Sequence, residues 1–348
     1  MRALTVVPLQ AGSLAVTDVP DPEPGQGELL VEGIALGVCG TDREIASGEY
    51  GWAPPGSERL VLGHESLGRV RTAAPGTSFT PGDLVVGIVR RPDPDPCPAC
   101  ARGEFDMCRN GKYVERGIKE IHGYGSELWT VEADYAVKLD PALESVGMLL
   151  EPTTVVAKAW DHIERIGNRA WWGPKRVLVT GAGPIGQLAA LLGVQRGLEV
   201  HVLDRVEGGL KPALIEQLGA HYHHSSIPEV AKKAMPDVII EATGAARLVL
   251  DAMEYNAAAG IVCLTGVSTG GHTVGIDAGQ VNRQIVLEND VVFGSVNANR
   301  HHYEMAADAL AKADQRWLEQ LITKRIPLER AAEAFEPSGD DIKVVLEL

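Results

Sequence analysis

Val177 to Asp204 reads VLVTGAGPIGQLAALLGVQRGLEVHVLD. The apolar run Val177, Leu178, Val179 predicts a strand, and the Ala/Leu-rich segment from Ile185 to Gln195 predicts a helix. Between them Gly181, Gly183 and Gly186 fill the pattern G-x-G-x-x-G, and Val200 to Leu203 predicts a second strand ending in Asp204. The first glycine permits a tight turn, the second lets backbone approach a pyrophosphate, and the third lets the helix pack on its strand. A helix opening at Pro184 and Ile185 offers a phosphate its unpaired N–H groups and the positive end of its dipole. Asp204, eighteen residues beyond Gly186, can accept both ribose hydroxyls of an adenosine. Glycines alone would be weak evidence. Strand, helix and acid in this order predict a dinucleotide site.

After this unit strands and helices keep alternating: helix Leu210 to Leu218, strand Val238 to Glu241, helix Arg247 to Tyr255, strands Ile261 to Thr265 and Val291 to Ser295. That alternation predicts a doubly wound parallel sheet, a Rossmann domain over 151–295. Residues 1–150 differ. Short alternating runs (Ala3 to Val7, Glu28 to Leu36, Glu65 to Thr72, Asp83 to Val89, Glu127 to Val131) between Gly/Pro turns predict a β-rich barrel or sandwich without a parallel sheet. From Leu143 to Ile166 the pattern is helical, with Pro152 read as an interruption. Two helices (Tyr303 to Ala313, Leu318 to Thr323) and a strand (Lys343 to Leu348) end the chain, and segment 296–348 is expected to return to the first domain.

Composition narrows the function. At 348 residues two domains are the default, and 45% hydrophobic with 23% charged residues is ordinary for a globular protein. A net charge of −15 without a local Lys/Arg cluster argues against nucleic acid as partner. No signal peptide or membrane-length apolar run is visible, so a cytoplasmic enzyme is the expected class. Five cysteines do not make a disulfide framework in a chain of this length; Cys97, Cys100 and Cys108 are spaced like metal ligands.

Three segments of the first domain carry metal chemistry: Gly37-Val38-Cys39-Gly40-Thr41-Asp42, Gly63-His64-Glu65-Ser66-Leu67-Gly68 and Leu150-Glu151-Pro152. Alone, Cys39 reads as a small core residue and His64 as a satisfied histidine. Together, Cys39, His64, Glu65 and Glu151 offer a thiolate, an imidazole and carboxylates, and a catalytic zinc needs three such groups with one position left open. Zinc beside a nicotinamide cofactor suits the oxidation of an alcohol.

The GHE-x-x-G segment, the CGTD turn, the late glycine-rich unit and the returning C-terminal segment resemble, over essentially the whole chain, the zinc-dependent medium-chain dehydrogenases. GTDREI (40–45), VRRPD (89–93), DMCRNGKYVERGIKEIHGYGSE (106–127), LLEP (149–152) and GSVNAN (294–299) further resemble the microbial glucose 1-dehydrogenase branch, whose members oxidise the C1 hydroxyl of an aldose to a lactone. The resemblance implies an α/β protein whose Rossmann domain is inserted in a GroES-like catalytic domain. It implies Cys39, His64 and Glu65 as zinc ligands, Glu151 as a carboxylate that orients the metal water or exchanges with Glu65, and Thr41 as the start of a hydroxyl relay. Glu44 stands where many relatives have a histidine and either ends that relay or is a surface carboxylate. It implies also Lys343 at a cofactor phosphate, with an exposed lysine as the other reading.

Relatives carry a structural zinc on C-x₂-C-x₂-C-x₇-C. Cys97, Cys100 and Cys108 match the last three positions, while the first falls on Pro94, which has no ligand atom. Asp93 or Asp95 offers an oxygen there; a metal-free lobe of reduced cysteines is the alternative. Asp204 favours NAD, and Arg205 beside it admits NADP. Thr243, Gly244, Gly266 and Val267 end later strands where the cofactor crevice is expected, and Val296 and Asn297 are expected at the nicotinamide or the substrate. Glu115, His122 and Asn297 are expected to receive sugar hydroxyls. His221, His223 and His224 are read as a solvated cluster. The alternatives are a polyol or secondary-alcohol dehydrogenase of the same family and a non-catalytic dinucleotide-binding protein. The family resemblance also suggests a homodimer or homotetramer, with Val291 to Ser295 as a sheet-extending edge.

Overall fold

A computed structural model describes residues 1–268, 270, 273–336 and 339–348. The chain divides into two units, Met1–Glu151 with Ala298–Leu348, and Pro152–Asn297.

The second unit is built on six parallel strands. In chain order they are Arg176–Thr180, Glu199–Leu203, His221–His223, Val238–Glu241, Ile261–Leu264 and Val291–Gly294, and across the sheet they run third, second, first, fourth, fifth, sixth. This is the dinucleotide-binding order, which reverses at the first strand and opens a crevice at the strands' carboxyl ends. The helices Pro184–Gln195, Leu210–Gln217, Ile227–Ala234, Ala246–Glu254 and Ala278–Glu288 connect them. Leu178, Leu203, Ile239 and Val262 from the strands pack with Ile227, Val230 and Ala252 from the helices in one buried cluster. Pro152 does not interrupt the preceding helix, which runs Leu150–Gly167; a proline in the first turn gives up an N–H that has no intrahelical acceptor.

The first unit is mainly antiparallel. Its largest sheet has the eleven-residue strand Glu28–Val38 at its centre, flanked by Glu65–Thr72 on one side and Lys343–Glu347 on the other. Leu128–Glu132 also pairs with the central strand. Beyond the antiparallel pairs the unit holds Ile322–Pro327 parallel alongside Lys343–Glu347, outside the residues 1–150 expected to lack a parallel sheet, and within 1–150 the short Val114–Arg116 parallel alongside Glu120–Ile121. The helix expected to reach Thr323 stops at Leu321, where this strand begins. Leu29 and Val31 and, past a register shift at Gly33/Ala35, Leu36 join Leu4, Tyr124, Trp129, Val344 and Leu346 in the buried core of this unit.

Register delivers the chemistry. Gly37 lies opposite Glu65 in one pairing, and Val38 lies opposite Val344 in the other. Glu65 and Lys343 are thus both brought to the end of the central strand, where Cys39 follows.

Candidate metal and dinucleotide sites

Cys39 is the N-cap of the helix Gly40–Ser47, in extended conformation. Its N–H donates to Asp42 Oδ2 at 2.9 Å, which fixes the turn. His64 arrives from the turn before Glu65–Thr72, and its Nε2 lies 3.1 Å from Cys39 Sγ. The other ring nitrogen, Nδ1, lies 3.3 Å from Asp42 Oδ1. A carboxylate behind the ring presents Nε2 outward, the orientation a metal-binding histidine needs. One ligand atom each from Cys39, His64 and Glu65 fall within 4.8 Å of one another. Soft thiolate, imidazole and hard oxygen from two segments fit a zinc ion with a position to spare.

Glu65 and Lys343 are each 2% exposed. Lys343 Nζ donates to Glu65 Oε1 and Oε2 at 2.7 and 2.6 Å and to the Val38 carbonyl at 3.4 Å. Lys343 is therefore neither exposed nor turned to a phosphate: it neutralises the buried carboxylate. A Cβ on Gly37 would lie 1.9 Å from Glu65 Oε2, so only glycine lets that side chain cross the strand. Burial opposes charge on His64, yet the neighbouring Cys39 and Asp42 hold its pKa well above the usual value. Burial pushes Glu151 up to about 7, with His64 and Lys343 opposing and Glu65 and Asp42 reinforcing.

Thr41, partly buried, sits in the first turn after Cys39, while Glu44 one turn on is exposed. Glu44 and Glu115 both act on Tyr50, whose hydroxyl is pushed up chiefly by burial. Glu115 is buried and receives Arg90 Nε and Nη2 at 3.1 and 2.9 Å. His122 is placed elsewhere: its Nδ1 accepts the Val61 N–H at 3.2 Å, and it lines a cavity of about 570 Å³ to which Cys39, His64 and Glu65 do not contribute.

In the cysteine lobe, the sulfurs of Cys97, Cys100 and Cys108 also lie within 4.8 Å of one another. Backbone N–H groups of Arg109, Cys100 and Ala99 directed at its sulfur bring Cys97 down to about 6, and burial lifts Cys100 to about 11.

In the second unit Gly183 caps the helix Pro184–Gln195, with Pro184 in its first turn and Ile185 next. A Cβ on Gly186 would come within 1.8 Å of the Gly181 carbonyl oxygen, so the turn closes only with glycine there. Nothing stands within 4 Å of the missing Cβ of Gly183, leaving the open approach a pyrophosphate needs. Asp204 Oδ2 accepts the Ala182 N–H at 2.6 Å, and Oδ1 the Val206 N–H at 3.2 Å. Asp204, Arg205, Ser225, Thr243 and Leu248 border a cavity of about 420 Å³, fit for an adenosine.

The buried Glu241 organises the next turns. It accepts the Thr243 and Gly244 N–H groups at 2.8 and 3.1 Å, and its carbonyl accepts the Gly266 N–H at 3.0 Å. Val267 and Val296 are exposed, Lys158 Nζ donates to the Val296 carbonyl at 3.0 Å, and Asn297 takes a left-handed φ of 62°. His221 is exposed, as expected of a solvated cluster, but His223 is half-buried. Both lie on an edge strand; buried His201 stacks on His223 and meets His221 at a tilt, with His201 Nδ1 2.9 Å from His223 Nε2. Exposed His224 lies beyond the strand.

Sequence reading passed over Asp42, Arg90, Lys158 and Glu241. Asp42 alone carried a signal, as an acid three residues after a helix N-cap.

The chain matches the family described as Alcohol dehydrogenase GroES-like domain over residues 25–141, and that described as Glucose dehydrogenase C-terminus over 144–348. It is 40% identical to the Glucose 1-dehydrogenase of Methanocella arvoryzae and 39% identical to Glucose 1-dehydrogenase 1 of Caldivirga maquilingensis, covering 100% of this chain and 99% of each relative. Among solved structures, Haloferax mediterranei glucose dehydrogenase in complex with NADP, Zn and gluconolactone is similar with a TM-score of 0.92 and 33% identity, covering 100% of this chain and 99% of that one.

Proposed function

This chain belongs to the glucose dehydrogenase family of zinc-dependent medium-chain dehydrogenases, and from that membership we propose how its own residues divide the work. It oxidises the C1 hydroxyl of a glucose-like aldose to the lactone, using zinc and a nicotinamide dinucleotide. The observation that carries the assignment of residues is the meeting of Cys39, His64 and Glu65 within 4.8 Å at the end of one strand.

Cys39, His64 and Glu65 hold the zinc, Asp42 aims His64, and Lys343 steadies Glu65. Glu151 is the exchangeable carboxylate beside them. With both groups bound, the chemistry supplied is Lewis-acid polarisation of the C1 hydroxyl and hydride acceptance at the nicotinamide. Thr41 receives the hydroxyl proton and passes it toward solvent, with Glu44 a further acceptor. Glu115, fixed by Arg90, accepts sugar hydroxyls, and Asn297 shares that role. Gly181 to Gly186 seat the pyrophosphate, Asp204 receives the ribose, and Thr243, Gly244, Gly266, Val267 and Val296 border the rest of the dinucleotide. NAD is preferred because Asp204 repels a 2′-phosphate; Arg205 admits NADP.

A substrate panel tests this. Glucose, galactose, xylose, sorbitol and an inositol are offered with NAD and with NADP to the zinc-replete enzyme. Turnover of aldoses to lactone is expected; turnover of sorbitol alone would reassign the chain to polyol oxidation. Cys39→Ser is expected to lose activity by several orders of magnitude together with one zinc, and near-normal turnover would remove Cys39 from the site.

Two wider readings accompany this. Among the described residues no helix is long and apolar enough to cross a membrane, and thiolate ligands keep best in a reducing compartment, so we place the enzyme in the cytoplasm. The strand Val291–Gly294 ends its sheet with an unpaired edge, and Val286 and Leu287 on the adjoining helix are 64% and 60% exposed. A second copy pairing edge to edge would cover both, making a homodimer that can itself pair into a homotetramer.

A further inference from the structure

Lysine is rarely buried whole, because its ammonium leaves water at a cost that only firm partners offset. Lys158, on the helix Leu150–Gly167, is 1% exposed. Its charge reaches the Cys263 thiol of the fifth strand, opposing the burial that pushes that thiol up to about 12. Its Nζ donates to the Val296 carbonyl at 3.0 Å, just beyond the end of the sixth strand. Pairing with the fifth strand continues to Ser295, whose N–H donates to the Leu264 carbonyl at 2.9 Å. There the backbone turns: the Val296 side chain is 60% exposed while its carbonyl meets the buried ammonium, and Asn297 takes its left-handed φ. In a residue other than glycine such a conformation persists where neighbouring contacts fix it.

We propose that Lys158 is a positioning residue of the dinucleotide site, its ammonium fixing the turn 295–297 against which the nicotinamide end is seated. The inference rests on the reading given above, in which Val296 borders the dinucleotide. The place of the turn supports it, since doubly wound sheets bind ligands outside the carboxyl ends of their strands. Strand order also confines the effect. The adenosine half is assigned to Gly181 to Gly186 and Asp204, at the ends of the first and second strands. The first and sixth strands stand three places apart in the sheet, roughly 14 Å. Removing the ammonium should therefore loosen the nicotinamide end and leave the adenosine end alone. A lysine kept only to fill the core would show no such selectivity.

Calorimetric titration of the zinc-replete enzyme with NAD and with ADP-ribose, which lacks the nicotinamide, separates the two ends. Lys158→Met keeps the apolar stem and removes the donor. It is expected to weaken NAD about tenfold, as loss of a hydrogen bond from a charged group warrants, and to leave ADP-ribose within about twofold. Lys158→Gln, which retains an N–H donor without the charge, should fall between that variant and the wild type. Equal loss of both ligands would make Lys158 a support of the whole fold, and no loss of either would make it idle; each result overturns the inference. Should Lys158→Met fail to fold, the selective loss in Lys158→Gln, or its absence, decides. Wild-type enzyme that binds neither ligand would remove the dinucleotide assignment itself and this inference with it, whereas unselective loss removes the inference alone.

Discussion

Asp42 touches both the Cys39 backbone and the back of the His64 ring, so one buried carboxylate orients two of the zinc ligands proposed above. Removing such an orienting group costs a metal site roughly 10- to 100-fold in affinity. Asp42→Ala is expected to lose zinc to a chelator in that range, measured by competition; an unchanged dissociation constant would show that the ring needs no support. Asp204 is proposed to work alike at the cofactor: it holds the Ala182 N–H, and its remaining lone pairs are expected to meet the ribose. Asp204→Ala should weaken both cofactors, but NAD more. A charge-assisted hydrogen bond is worth about 1.5–3 kcal/mol, so the NAD/NADP ratio of kcat/KM should fall at least about tenfold. An unchanged ratio would take cofactor choice away from this residue.

At the scale of elements, the short strand His221–His223 carries a pH dependence. His201 stacks on His223, and burial first, then His201, His221 and Lys233, bring His223 down to about 4. His201 is lowered too, mainly by burial. A histidine kept neutral in the fold contributes its full stability above the unfolded value near 6.5 and loses it as pH falls toward about 4. The whole shift would amount to about 3 kcal/mol, and solvent screening at this partly open edge leaves roughly 1–2 kcal/mol. The second unit should accordingly unfold more easily between these pH values, and His223→Gln should flatten that slope in thermal melts; an identical slope would exonerate the stack. Sequence did not announce this strand, because three polar residues at a sheet edge have no apolar alternation. Nor did it announce Ile322–Pro327, whose Lys324 and Arg325 face solvent. The glycine turn was legible because its requirements are local: sterics at Gly181 and Gly186 and a helix directly behind them.

For the whole molecule, the residues 278 positions apart that form the Glu65–Lys343 pair show what sequence cannot report. Metal-ligand types could be picked out singly; the buried cation among them is set by register between strands from distant parts of the chain. The sheet edge at Val291–Gly294 is the matching question outward. Val286→Lys places a charge beside that edge on a side chain 64% exposed, and is expected to shift the sedimenting species toward a monomer while the fold stays intact. A variant that sediments as the wild type does would move the subunit contact elsewhere.

The strand Lys343–Glu347 also imposes an order on biogenesis. Residues 152–297 are contiguous and can collapse as soon as they emerge from the ribosome, but the strand Glu28–Val38 must wait for a neighbour made some three hundred residues later. Until then Glu65 has no Lys343 to answer its charge, so a nascent chain can grip a dinucleotide long before it can properly retain its metal. With the ligands proposed above, lasting zinc retention would thereby follow release of the finished chain, and a ribosome-bound chain stalled at a codon before 343 should capture coenzyme yet show no activity.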